Sequence, residues 1–330
     1  MILLRKTPII KVFVVTSIIL ALVCGIYFVV STNQGNAVEL TNEFHVSVSL
    51  TPTPFPLPTK VYDQPSYLTT ILEQIFGNNK KLVNPYNIIE NGQKQSGDEH
   101  LDLYLQNDYF PIDAQWWQQE SKQVYEYVGE RLNATISEKV IITFIPSEMG
   151  NCAPRGSTIH EQQPVILIYT DQDTSKDQIL ATLAHELGHV FIHKKYENLS
   201  DVALSEGMAT WAASDYWKAW KGLDFNAAVR SYITDKTYLP LFQNYDMRKA
   251  YVEVPGCITY RDILLTELAS FIDYLIQTYG IEKLPALFNI QQPDIMNNQG
   301  IVYPPNYKAV YGFELNQLEQ EWLRALLFIK

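Results

Sequence analysis

His185-Glu186-Leu187-Gly188-His189 decides how the rest of this 330-residue chain is read. Around it, Leu180, Leu183, Leu187 and Phe191 recur at helical spacing and predict one apolar face turned to a core. Ser175 and Gln178 make an S-x-x-Q capping box just upstream, and no proline follows until Pro240. A helix over residues 176–193 follows. On a helix, residues four apart project from the same side one turn apart. His185 and His189 can therefore aim a ring nitrogen each at one point, which is the H-E-x-x-H spacing of a zinc-binding helix. Glu186 stands beside the first of them, where its carboxylate can reach a water on the metal as general base. Gly188 leaves space beside the pair.

A catalytic zinc takes three protein ligands and keeps one position open. His193 is nearest in sequence, but two helical turns separate it from His185 by ~11 Å, too far for one ion. The longer metzincin pattern needs a histidine six residues after His189, and Lys195 occupies that place.

The next apolar segment is Ala203-Leu204-Ser205-Glu206-Gly207-Met208-Ala209-Thr210-Trp211, the start of a second helix. It resembles the W-L-x-E-G-x-A-x-Y segment of the gluzincin peptidases, the thermolysin and aminopeptidase N clan. Ser205 stands where Asn is common, and Trp211 where Tyr is common. The resemblance implies Glu206 as third ligand, with Asp201 in reserve. Residues 100–330 more widely resemble the bacterial "peptidase MA-like" proteins. The resemblance runs through Ile141-Ile142-Thr143-Phe144-Ile145-Pro146 and Ser270-Phe271-Ile272-Asp273-Tyr274-Leu275-Ile276-Gln277-Thr278-Tyr279-Gly280. It ends in a closing helix around Trp322. The implied activity is hydrolysis of peptide bonds in a peptide or protein substrate by a zinc-bound water, with Zn2+ as cofactor.

Two departures from the clan matter. Its oxyanion tyrosine falls nine residues before Tyr274, where this chain has Leu265; Tyr260, five residues earlier, is the substitute candidate. The aminopeptidase G-x-M-E-N signature is absent. A catalytically weak or inactive zinc-containing domain that binds a cell-envelope partner is therefore the alternative to a peptidase.

The fold class expected is α+β. A small sheet packs on the zinc-binding helix, a mainly helical C-terminal part follows, and a transmembrane helix precedes both. Residues 101–105, 140–145 and 164–169 read as strands and 114–132 as a helix. By the clan resemblance, 164–169 is the edge strand that aligns extended peptide. Residues 67–76 read as a short helix and 77–98 as loop. His160 is either a cleft residue or a surface-loop histidine.

Residues 12–30 carry no charge over nineteen positions, close to the ~20 that cross a hydrocarbon core. Arg5, Lys6 and Lys11 precede them, and no Lys or Arg follows until Lys60. Residues 1–11 should then be cytoplasmic and the bulk of the chain outside. That length favours an uncleaved anchor over a cleaved signal peptide, whose apolar core runs ~7–15 residues. Residues 31–60, with Thr51-Pro52-Thr53-Pro54-Phe55-Pro56-Leu57-Pro58, read as a proline-rich spacer, and 61–330 as the metallopeptidase domain. Cys152 and Cys257 fall in the exported part, where a disulfide is permitted. A net charge of −11 argues against a nucleic-acid partner, which requires a basic face.

Overall fold

Alternation in the two central strands gives the sheet its two faces. Strand β3 (Val140–Pro146) and strand β5 (Val165–Thr170) pair in parallel, Ile142 opposite Ile166 and Phe144 opposite Ile168. Val140, Ile142, Phe144, Ile166 and Ile168 join the main core, while Ile141, Val165, Leu167 and Tyr169 make a second cluster. Side chains alternate across a strand, so both faces of these two strands are buried. The computed structural model describes residues 92–105, 113–146, 154–160, 163–196, 201–245, 247, 256–289 and 304–328. The anchor and spacer (12–60), the helix expected at 67–76 and Cys152 lie outside the described residues, as does the side chain of Cys257. Among the described residues no helix is long and apolar enough to cross a membrane.

Strand β2 (Leu101–Leu105) adds to β3 in parallel, and β1 (Gln93–Gly97) adds to β2 antiparallel. Strand β4 (Gly156–Ile159) closes the other side, antiparallel to β5. The five-stranded mixed sheet thus runs β1-β2-β3-β5-β4. Two expectations are corrected here. Part of the stretch read as loop, Gln93–Gly97, is an edge strand, and Val165–Thr170 is an interior strand rather than the edge. The edge beside the site is β4.

Helix α1 (Ala114–Leu132) is capped by Asp113, which accepts from the Trp116 amide, and ends at Asn133 in the left-handed region. It connects β2 to β3. Helix α2 (Lys176–Tyr196) carries the H-E-x-x-H residues and starts as the capping box implies, the Gln178 amide donating to Ser175 Oγ at 3.2 Å. From Ile179 to Ile192 nearly every side chain of α2 is buried, because the helix is enclosed between α1, the sheet and the helices that follow. A helix apolar all round belongs inside a domain.

The C-terminal part is helical: α3 (Val202–Ala212), α4 (Ser214–Lys221), α5 (Phe225–Thr234), α6 (Leu241–Asn244), α7 (Cys257–Tyr279), α8 (Leu284–Asn289), α9 (Tyr307–Tyr311) and α10 (Leu315–Phe328). Helix α7 packs along α3 and carries the aromatic segment ending at Gly280. Trp322 of α10 is fully buried against Phe271, ring centroids 5.6 Å apart, and donates to Ser270.

Asp201 caps α3, its Oδ1 accepting from the Leu204 amide at 2.7 Å and the Tyr245 hydroxyl at 2.9 Å. Burial pushes its carboxyl up to about 6, against the pull of those two donors. The folded chain therefore holds this proton more tightly than the unfolded chain. Asp201's contribution to stability is full below its unfolded pKa of ~3.9 and is lost as pH rises through about 6. Asp201→Asn keeps the acceptor oxygen without the charge. Denaturant unfolding should show it ~1–3 kcal/mol more stable than the parent at pH 7.5 and nearly equal at pH 4. A less stable variant at pH 7.5 would contradict this.

Candidate metal centre

Three side chains converge where α2 meets α3. His185 Nε2 and His189 Nε2 are 3.1 Å apart, Glu206 Oε2 is 3.2 Å from the first, and Glu206 Oε1 is 3.6 Å from the second. A tetrahedron with metal bonds of ~2.0–2.1 Å has edges of ~3.3–3.4 Å, close to the two separations made by His185 Nε2; the 3.6 Å approach to His189 is made by the other carboxylate oxygen. The imidazole planes stand at 87°, edge to face, so the nitrogens meet at a point without the rings stacking. Among the described residues this is the one group of histidines, cysteines and carboxylates gathered closely enough to hold a metal.

The outer ring nitrogens are also engaged. His189 Nδ1 lies 3.2 Å from Ser205 Oγ, and His185 Nδ1 lies 3.1 Å from Thr210 Oγ1. A proton on each Nδ1 donates to these hydroxyls and leaves the Nε2 lone pairs facing the shared point, the tautomer that metal-binding histidines use. Helix α3 therefore supplies Glu206 and both orienting hydroxyls.

Close approach of the two helices makes this possible. A Cβ on Gly188 would come within 2.9 Å of the Ala209 Cα, so only glycine lets α3 lie this near α2. The far end of α3 is fixed by Trp211, whose indole donates to Asp273 of α7 and whose carbonyl accepts from Arg131 of α1.

Glu186 is buried on the sheet side of α2. Thr158 of β4 donates to its Oε2 at 2.7 Å, and a Cβ on Gly156 would sit 2.5 Å from Oε1. Strand β4 thus shapes the carboxylate's slot with a glycine and a hydroxyl. Burial pushes the Glu186 carboxyl up; the neighbouring histidines and Thr158 offset part of that. Burial also works to raise Glu206, but His189 and His185 more than reverse it and hold that carboxyl well below the usual range. For His189, burial favours the neutral ring and Glu206 outweighs it, so its pKa ends above the ordinary value.

The other candidates lie elsewhere. Asp201 is the α3 cap and outside the cluster. His193 stacks on His160 with ring centroids 4.1 Å apart, one turn beyond the converging histidines. Leu265 is buried in the core and offers no donor. The Tyr260 hydroxyl donates to Asn244 at 3.0 Å. Sequence reasoning missed Ser205, Thr210, Thr158 and Gly156. The first two were readable, since one adjoins Glu206 and the other lies one turn beyond it on α3.

No family model matches the chain, and no curated protein matches it. Among solved structures it is similar to a candidate zinc-binding metallopeptidase from Bacteroides caccae, at 11% identity and a TM-score of 0.18. That alignment covers 74% of this chain and 100% of the other. So small a likeness leaves the functional reading to the residues themselves.

Proposed function

We propose that the protein is a zinc-dependent peptidase in which His185, His189 and Glu206 hold the metal and Glu186 is the general base. The observation that carries this reading is the convergence of two Nε2 atoms and a carboxylate closely enough to hold one ion, with a buried carboxylate next to it. Zinc held there would supply a lowered water pKa and a polarised substrate carbonyl. Glu186 accepts a proton from the attacking water as oxygen bonds to the carbonyl carbon, then returns it to the amine nitrogen as the C–N bond breaks. Burial raises its pKa above the ordinary carboxylate value, which makes it a stronger base for the first transfer. Thr158 keeps the carboxylate aimed through these steps. The outer edge of β4 is the proposed seat of an extended substrate, joined by main-chain hydrogen bonds and so with little sequence preference.

Leu265 favours a second reading, a zinc-holding domain that binds a cell-envelope partner with little or no turnover. An oxyanion donor commonly contributes ~2.7–4 kcal/mol to the barrier, and this position has none to give. We also propose that residues 12–30 tether the domain outside a membrane.

Metal analysis with a peptide-mixture assay tests the function. The peptidase should carry one zinc per chain and cut peptides in a way that chelation stops and zinc restores. Zinc at one per chain without cleavage of any peptide would leave the binding domain standing instead.

A further inference from the structure

The N-terminal end of β4 runs into a set of charges that neither the metal nor Glu186 uses. Arg155, the residue before β4, makes a two-pronged pair with Asp262 of α7, at 2.6 and 2.9 Å. Lys221, the last residue of α4, reaches the same carboxylate at 2.7 Å. Among the described residues both cations find their carboxylate in Asp262 alone, so two positive charges share one negative charge. Both also lie over the ring of Trp220, Lys221 Nζ at 3.6 Å and the Arg155 guanidinium at 4.6 Å from its centroid. Their side chains remain 30% and 20% exposed, enough to meet a ligand.

Two short routes join these cations to the metal cluster. Along the sheet, Arg155 adjoins Gly156, whose neighbour in space is Glu186. Through the helices, Trp217 lies 6.4 Å from the His185 ring and 5.3 Å from Trp220. At ~3.3 Å per strand residue, Arg155 stands about one to three residues along β4 from the point opposite Glu186. The bridge also ties the N-terminal end of β4 to α4 and α7.

We propose that Arg155 and Lys221 receive the free C-terminal carboxylate of the substrate, so that the protein trims short pieces from the C-terminal ends of peptides. This rests on the peptidase reading and names its substrate class. The direction follows from charge and from pairing. Surplus positive charge at this end of β4 suits a terminal carboxylate and repels a terminal ammonium. A peptide lying antiparallel on β4, the more stable pairing, brings its C-terminal end to the strand's N-terminal end. A carboxylate placed beside Arg155 and Lys221 supplies the second negative charge that Asp262 alone does not.

N-acetyl-tetra-alanine, prepared as the free acid and as the carboxamide, tests the proposal. Calorimetric titration into the zinc-loaded Glu186→Gln chain should show the acid binding about tenfold or more tightly than the amide, the scale of hydrogen bonds to a charged partner. Lys221→Met in the same background keeps the apolar stem over Trp220 and should remove most of that preference; Lys221→Arg should retain it. Equal affinity for acid and amide overturns the carboxylate site. If the acid is preferred yet the zinc-loaded parent cuts neither peptide, hydrolysis fails as a reading and the carboxylate site stands. Equal cleavage of acid and amide overturns the site and leaves hydrolysis standing.

Discussion

Glu186→Gln should lower kcat about 10²–10⁴-fold with zinc content unchanged, because general acid–base transfer contributes that much when a carboxylate does the work. In activation free energy this is ~3–5 kcal/mol. Glutamine matches the shape of glutamate, keeps an oxygen for the Thr158 hydroxyl, and needs no more room beside Gly156. It cannot accept the water's proton at neutral pH. The histidine and Glu206 contacts are untouched, so metal analysis should still find one zinc per chain. Stability should not suffer, since the substitution removes a carboxylate that burial already disfavours in its charged form. Steady-state kinetics on a cleaved peptide, together with zinc analysis of the same preparation, gives the answer. Turnover within a few-fold of the parent would remove Glu186 from the mechanism.

The helix and the side on which its two histidines lie could be read early because spacing constrains them. A four-residue step between histidines on a capped apolar helix leaves one geometric outcome, and Glu206, which meets them in space, is singled out by the resemblance of its segment. The edges of the sheet could not be read this way. Hydrophobic alternation marks a strand only where one face is buried in apolar surroundings. Strand β4 spends its inward positions on Gly156 and Thr158, which meet Glu186 rather than a core, and so reads as Gly-Ser-Thr-Ile with no periodic signal. Strand β1 is Gln-Lys-Gln-Ser-Gly and largely exposed. The clan resemblance places the edge strand at residues 164–169, whose apolar run is what an interior parallel strand presents. Gly188 was read as leaving room near the metal; what fills that room is the backbone of Ala209. A glycine's function depends on what approaches it, and that partner lies twenty-one residues further along the chain.

Glu206→Ala should weaken zinc binding by more than ~100-fold, beyond the ~10–100-fold expected on losing an orienting partner such as Ser205 or Thr210. Two imidazoles remain after the substitution, and a site that binds through three protein ligands loses both a bond and its one negative charge. The metal-free protein should change as well. Glu206 is held below the usual carboxylate range by the histidines, so its stabilising contribution is present above its unfolded pKa of ~4.3 and lost as pH falls below that. His189 is raised by Glu206, so its contribution is present below ~6.5 and lost as pH rises past its folded value. In chelated protein the pair is therefore most favourable in mildly acidic solution. At alkaline pH the imidazole is neutral and Glu206 is left as a buried charge without a cationic partner. Zinc removes that penalty, and by linkage it should raise the parent's melting temperature most at pH 8. Glu206→Ala should melt with little dependence on zinc at a metal concentration that saturates the parent. Competition with a chelator of known affinity measures the binding directly. Affinity within a few-fold of the parent would mean that another group completes the site. Asp201 could not be that group without giving up the Leu204 amide and Tyr245 hydroxyl it now binds, and with them the cap that starts α3.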